Sequence, residues 1–404
     1  MNKHMEQDLS NFTQSVSKVT DALNAQAKQI MQQVGILQNH SESQQSQAKV
    51  TFEEQLNHLT KIRHLLEDQS VSDILINGPK SVFIERRGVC SKADVEFDND
   101  AQVLEMAKTI ALHSGRVISH EYPMVDARLM DGSRVNIVAP PLTVDGTCIS
   151  IRKFPKAGLS LGDMVRKHTI SEQIAHILKI AAACKISILV SGGTGSGKTT
   201  MLNALSRHIN PKERIVVIED SAELNIKNPD KVRLEAKPQI KGEIGSIEVT
   251  IRDLVKNSLR MRPDRIIVGE TRGPEAFDMI QAMNTGHSGS MTTLHANSPR
   301  DALTRLENMI GMTNYNMPQK SVRQQIASAV AVIIQLKRLS TGQRVVTHIS
   351  EVTGTEGDTI AMQDIFTYKG DKQFAWNEIM PRFSNIAIGK GYKEQLNKAL
   401  GTNL

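Results

Sequence analysis

The sequence predicts a mixed α/β protein in parts: a helical arm over 1–68, a smaller α/β domain over 69–154, a linker over 155–168, and a phosphate-loop domain over 169–404. Three observations carry this reading. The octet Gly192-Gly193-Thr194-Gly195-Ser196-Gly197-Lys198-Thr199 fits the pattern G-x-x-x-x-G-K-[ST] at every fixed position. Short β-branched runs then alternate with helical periods, the mark of a parallel sheet with helices on both faces. Near Val71 the apolar period changes from helical to strand-like.

Taking the elements in order, the arm carries Met5, Leu9, Phe12, Val16, Val19, Leu23, Ile30, Val34 and Leu37, with most steps alternating between four and three. That is a heptad seam, interrupted at Gln26 and Gln33. A partner-binding arm and a local hairpin with Phe52 to Leu66 both fit it. From Val71, SDILINGPKSVFIERRG reads as two strands joined at Asn77-Gly78. A helix over Ala101 to His113 and strands in SRVNIVAPP and CISIRKF complete the smaller domain. FPKAGLSLGDM, with Pro155, Gly158 and Gly162, reads as a hinge. At Thr169 a capping box with Glu172 opens an amphipathic helix through Ile174, Ile177, Leu178 and Ala181.

Ile186 to Val190 is then a buried strand, and Leu202, Leu205 and Ile209 recur at helical spacing after the octet. Backbone N–H groups of such a loop, with the helix N-terminus, hold phosphate oxygens. Gly193, Thr194, Gly195, Ser196, Gly197, Lys198, Thr199 and Thr200 are therefore the candidate nucleotide-binding residues. Lys198 reaches the β- and γ-phosphates and the Thr199 hydroxyl ligates Mg²⁺, so ATP and Mg²⁺ are the expected cofactors. Further strands follow at Ile215 to Ile218 and Ile266 to Val268, then a helix near Glu275 to Met283. After Pro299, RDALTRLENMIG and VRQQIASAVAVIIQL both read as helical, and the tail from Trp376 to Leu404 is weakly patterned.

Three segments supply what hydrolysis requires beyond binding. The strand ending in Glu219-Asp220, with Glu223 behind it, puts carboxylates in the ligand crevice, where Glu219 can hold Mg²⁺ directly or through water. Glu270, after the strand Ile266 to Val268 and Gly269, is the candidate to orient the attacking water. His287 to His295 (HSGSMTTLH) reads as a polar stretch suited to sensing the γ-phosphate, with both histidines as catalytic candidates. Arginines that could steady a phosphoryl-transfer transition state are Arg260, Arg262 and Arg272, and in the N-terminal half Arg116, Arg128, Arg134 and Arg152.

Bulk properties narrow the class. Across 404 residues the chain has 23% charged and 39% hydrophobic residues, a formal charge of +6 and a pI near 9.1. The basic excess is small for this length and reads as a solvated surface, so stable nucleic-acid binding is not expected. Aromatics at 3% argue against a single-strand binder that needs ring platforms. Cys90, Cys148 and Cys184 lie far apart with no C-x-x-C pair, against a zinc site or disulfide framework and in keeping with a reducing cytoplasm. The N-terminus has no apolar signal-peptide core, and the apolar stretch Ala327 to Leu336 is too short to span a bilayer. Membrane association is expected only through partners. The absence of an N-K-x-D segment disfavours a GTPase, and the tandem carboxylate and histidine segments leave little room for a small-molecule kinase.

These residues resemble the secretion ATPases of type II and type IV systems and type IV pili. The match looks close to the CpaF-like branch, which assembles tight-adherence (Tad) pili. It rests on GGTGSGKTT at Gly192 to Thr200, IEDSAEL at Ile218 to Leu224 and RPDRIIVGETRGPEA at Arg262 to Ala276, which resemble the family's Walker A, Asp box and atypical Walker B. TGHSGSMTTLHANSPRDALTRLE at Thr285 to Glu307 is similar to its His box, and YPMVDARLMDGSRVNIVAPPLTVDG with ISIRKF to that branch's N-terminal domain. The resemblance implies a RecA-like domain in a homo-hexameric ring, with the N-terminal domain swinging against it. It implies a cytoplasmic motor working on an inner-membrane platform protein, in pilus assembly or retraction or related secretion. It also implies that Arg128, Arg134 and Arg152 reach the nucleotide. A conjugation-type or DNA-translocating motor with the same ATPase core is the alternative.

Overall fold

A computed structural model describes residues 59–401 apart from 87, 155–157, 238–246, 314 and 316. The heptad seam from Met5 to Leu37 therefore lies outside the described residues; the described end of the arm over 1–68 holds a helical turn at Thr60–Ile62 and α1 (Arg63–Glu67). Two sheets organise the rest.

The first sheet is antiparallel, with order β3-β2-β1-β6-β5-β4. Its strands are β1 (Val71–Asn77), β2 (Val82–Arg86), β3 (Val89–Lys92), β4 (Met124–Arg128), β5 (Arg134–Val138) and β6 (Cys148–Arg152). β1 and β2 pair as the Asn77-Gly78 signal predicts. α2 (Asp100–His113) starts where the Asn99 side chain accepts from Gln102 N–H. Its Val103, Met106, Ala107, Ile110 and Ala111 recur at three- and four-residue steps, so they share one face and join the apolar cluster of the sheet. β4, which lies before the strand expected in SRVNIVAPP, forms the outer arm of a hairpin with β5.

The second sheet has nine strands in the order β15-β14-β13-β12-β7-β11-β10-β8-β9. From β12 to β9 every neighbouring pair is parallel: β7 (Ile188–Gly192), β8 (Ile215–Glu219), β9 (Lys231–Glu235), β10 (Arg265–Val268), β11 (Met291–Leu294) and β12 (Val332–Arg338). β13 (Arg344–Glu356), β14 (Thr359–Gly370) and β15 (Gln373–Trp376) extend it as an antiparallel meander. Alternate residues of one strand face opposite layers. Ile188 and Val190 join the cluster under α4 (Glu172–Ala183) and α5 (Lys198–Ser206). Leu189 joins the one under α6 (Ile251–Ser258), α7 (Glu275–Asn284), α8 (Pro299–Gly311) and α9 (Gln319–Ala329).

The structure corrects four local expectations. Ser171, not Thr169, caps α4: its side chain accepts from Ile174 N–H, while the Thr169 carbonyl accepts from Val346 N–H. The hinge segment holds α3 (Leu161–Arg166), closed by a capping box between Ser160 and Asp163. The run VRQQIASAVAVIIQL is helical only to Ala329; its second half is β12, seated against β7. HSGSMTTLH, read as a polar stretch, holds a buried strand at Met291–Leu294.

Candidate functional site

The octet follows the carboxyl end of β7, which lies between β11 and β12 in the parallel part of the sheet. β8 to β11 all lie on one side of β7 and β12 on the other, so the strand order reverses at β7, which leaves a crevice beyond the strand ends. Gly197 caps α5 with φ near +100°, a backbone state that favours glycine. Lys198 is buried, and its Nζ donates to the carbonyls of Gly192 and Gly193 at 3.0 and 3.1 Å. Burial pushes its pKa down, with the Arg272 charge adding to that and Glu270 opposing it.

Lys198 begins a chain of contacts across the strand ends. Its Nζ lies 3.3 Å from Nε2 and 3.4 Å from Nδ1 of His295. His295 Nε2 is 2.6 Å from Glu270 Oε1, and Glu270 Oε2 accepts from Arg272 at 2.6 Å. Arg272 also reaches Asp220 at 3.6 Å. A neutral imidazole suits this place beside the Lys198 ammonium, although Nε2 lacks the alignment of a hydrogen bond to Glu270 Oε1, which finds no donor among the described residues. Burial and the Lys198 charge lower the His295 pKa and favour that neutral form, against the pull of Glu270.

Glu219 sits differently. Its Oε1 accepts from the backbone N–H groups of Glu223 and Leu224 at 2.8 and 2.9 Å. The side chain runs past Gly269, where an added Cβ would stand 2.9 Å from Glu219 Cγ. Burial raises its pKa, and the two backbone donors hold it back only in part. Glu219 thus anchors the turn after β8, which narrows the metal-holding role expected of it. Thr199 is half-buried on the wall of the cleft. A Mg²⁺ ion bound with a nucleotide needs few protein oxygens, because phosphates and waters fill its shell. The Thr199 hydroxyl fits that demand, and Glu219 fits it only through its other oxygen or a water.

The cleft above the loop, about 480 Å³, is lined by Gly195 to Thr200 on one side and by Arg134, Arg152 and Phe154 on the other. Strand register explains why arginines far apart in sequence meet here. Arg128 stands opposite Arg134 across β4–β5, and Arg134 opposite Arg152 across β5–β6. Residues directly opposite one another point to one face, so the three form a row. Arg134 pairs with Glu223 at 3.0 Å and donates to the Ser221 carbonyl at 2.8 Å. Arg128 grips Glu235 with two nitrogens, at 2.7 and 2.9 Å, and also contacts the Ser221 hydroxyl.

Other candidates are not brought together. His287 precedes the amino end of β11, where Gly289 N–H donates to Ser187 just before β7. The octet leaves the opposite end of β7, so His287 is removed from the site. Arg260 and Arg262 precede the amino end of β10 and lie at that same far end. Arg116 sits just beyond the carboxyl end of α2, where its N–H donates to the Ala111 carbonyl. Two arginines that the motif search passed over border the octet instead. Arg344 Nε donates to the Gly195 carbonyl at 2.8 Å, and Arg338 lies beside Gly195. They flank the β12–β13 turn, some hundred and fifty residues from the loop, and no local signal marks them.

The family profile described as "Type II/IV secretion system protein" matches residues 54–369. A Mycobacterium tuberculosis protein named for conjugal transfer is 35% identical over 299 residues, covering 72% of this chain and 84% of that one. The type IV secretion system protein PtlH of Bordetella pertussis is 32% identical over 317 residues, 72% of this chain and 91% of its own. Among solved structures, the ATPase DotB of Legionella pneumophila aligns with TM-score 0.52 at 23% identity, over 71% of this chain and 79% of that one. The pilus retraction motor PilT with bound ADP aligns with TM-score 0.52 at 18% identity, over 85% and 89%. At those identities the structural likeness bears on the fold alone.

Proposed function

The chain belongs to the type II/IV secretion system protein family and has its RecA-like fold, and from that premise we propose that it is a Mg²⁺-dependent ATPase motor. The observation that carries this reading is the contact chain Lys198–His295–Glu270–Arg272 at the mouth of the phosphate loop. Lys198 leaves the loop carbonyls for the β- and γ-phosphates. Loop N–H groups cradle the rest of the triphosphate. Mg²⁺, when bound, neutralises charge between the phosphates, and Thr199 is the residue that would hold it.

Glu270 orients the attacking water and takes up its proton, with Arg272 holding one of its oxygens beforehand and His295 standing against the other. The arginine row supplies positive charge from the first sheet. Closing the two sheets on ATP and releasing them after hydrolysis turns chemistry into motion; a swing from mostly open to mostly closed needs ~5 kcal/mol of differential binding. Several charge-assisted contacts to phosphate supply energy on that scale.

In the same reading the motor works as a homo-hexamer in the cytoplasm, against an inner-membrane platform protein. The Tad-like motifs support pilus assembly or retraction as its task. Among the described residues no helix is long and apolar enough to cross a membrane, which supports attachment through a partner. Relatives named for conjugal transfer favour a second reading, a conjugation-type motor. Hydrolysis stimulated by DNA and suppressed by salt would select it.

The test is phosphate release by wild type beside Glu270→Gln. The variant is expected to bind ATP and turn over at least about a hundredfold more slowly, the scale of a general base. Wild-type turnover in Glu270→Gln would remove Glu270 from the chemistry, and no turnover in wild type would overturn the ATPase reading.

A further inference from the structure

The middle of β11 holds a chemical oddity. Met291, Thr292, Thr293 and Leu294 form a strand buried on every side, between β7 and β10. Valine has the same branched shape and β-propensity as threonine and brings no hydroxyl to desolvate. Two adjacent threonines at such a position need partners for their hydroxyls.

Both find theirs in the turn that carries Glu270. Thr293 Oγ1 donates to the Gly269 carbonyl at 2.8 Å. The Thr293 carbonyl accepts from Thr271 N–H at 2.8 Å. Thr292 Oγ1 and Thr271 Oγ1 lie 2.7 Å apart. Gly269 N–H donates in turn to the Ile218 carbonyl of β8. Glu270 is therefore clasped on its two peptide neighbours by one strand. Two residues past Thr293, the same strand delivers His295 to the Glu270 carboxylate. His295 is the first residue past β11, so the strand that clasps the Glu270 turn also carries the ring that meets its carboxylate.

We propose that Thr293, supported by the Thr292–Thr271 hydroxyl pair, is a positioning residue that sets the aim of Glu270 toward the attacking water. The inference rests on the role given to Glu270 above. A misplacement of a reacting group by about 1 Å can cost on the order of a hundredfold in rate, so a single hydroxyl at this hinge has leverage on turnover and none on nucleotide affinity. The phosphate loop itself receives no hydrogen bond from either threonine among the described residues.

The experiment measures kcat, KM and the affinity for a non-hydrolysable ATP analogue in the full chain. Thr293→Val removes the hydroxyl at constant shape, Thr293→Ser keeps it, and Glu270→Gln serves as reference. Expected are a kcat about tenfold lower in Thr293→Val, an unchanged analogue affinity, and kcat restored in Thr293→Ser. A purely structural hydroxyl would lower the melting temperature and leave kcat of the folded protein alone, and that result overturns the proposal. So does equal loss in Val and Ser. Should Thr293→Val not fold, the double variant Thr271→Val/Thr292→Val removes the supporting pair without opening a cavity, and wild-type kcat there is equally fatal. Normal turnover in Glu270→Gln sinks the Glu270 assignment and this inference together; a slow Glu270→Gln beside a normal Thr293→Val sinks this inference alone.

Discussion

Glu219 gives the sharpest test of how this site is built, because its carboxylate serves a turn and not open solvent. Glu219→Ala strips the acceptor from two backbone donors, Glu223 N–H and Leu224 N–H. Leu224 is fully buried, so its donor pays the full penalty, while Glu223 is half-exposed and water meets part of the need. At about 1–3 kcal/mol for an orphaned buried donor and the low end of that for the other, the loss comes to roughly 2–4 kcal/mol. For a cooperative unit of this size that lowers the melting temperature by about 5–15 °C.

Glu219→Gln keeps an oxygen in place and removes the charge that burial penalises. It is expected to melt at or above wild type at pH 7. The sign follows from the raised pKa: the folded state binds the proton more tightly than the unfolded one. Stability from this group is full below the ordinary value of 4.5 and is lost as pH rises through the folded value. The advantage of Gln over Glu therefore opens above pH 4.5 and then levels off. Circular dichroism melts of the three proteins between pH 4 and 8, without nucleotide, provide the measurement. A Gln variant as unstable as Ala would show that charge and not the acceptor holds the turn. A stable Gln variant that binds nucleotide only without Mg²⁺ would return Glu219 to the metal.

Lys198→Ala removes the buried ammonium that bridges the loop carbonyls and His295, and binding of a fluorescent ATP analogue is expected to vanish; wild-type affinity would refute the loop assignment. Arg134→Ala is expected to keep ADP affinity within about twofold and to weaken an ATP analogue about tenfold, the worth of one charge-assisted bond. Equal loss for both nucleotides in calorimetry would contradict an arginine aimed at the γ-phosphate. Protonating His295 sets a second cation beside Lys198, and its lowered pKa places that event below pH 6.5. Turnover, like the stability this group contributes above pH 6.5, should decline only as pH falls past that value; a decline beginning above pH 7 would point to another group.

The phosphate loop was legible because its chemistry is local: glycines, lysine and hydroxyl must be neighbours in sequence to be neighbours in space. Glu270 was legible for a similar reason, standing just past an apolar strand. What failed were inferences from polarity and from unbroken apolarity. Thr292 and Thr293 read as part of a polar stretch because hydroxyls mark polarity and the β-branches that favour a strand are easily passed over. Val332 to Leu336 read as helix because an apolar run without Gly or Pro has no period to betray the change at Val330. Arg338 and Arg344 were invisible because only tertiary pairing of β12 with β7 carries them to Gly195.

The arginine row shows what the sequence could name and only register could explain. Like charges directly opposite on adjacent strands repel, so Arg128, Arg134 and Arg152 need anions facing them. Those anions are now protein carboxylates. Glu235 on the edge strand β9 takes Arg128, and Glu223 behind β8 takes Arg134. Asp73 stands opposite Arg152 on β1. On the proposed reading, a triphosphate in the loop brings competing negative charge to the same cleft. Arg128 and Arg134 then exchange one anionic partner for another and never pass through an unpaired state. Each exchange costs little because all these side chains are partly exposed and water screens the pairs. A difference of a few kcal/mol between the two sets of partners is enough to move the sheets, and losing the γ-phosphate reverses it. In the proposed motor, carboxylates placed to quench the row would make the motion reversible, which a repeating motor requires and a one-way switch does not.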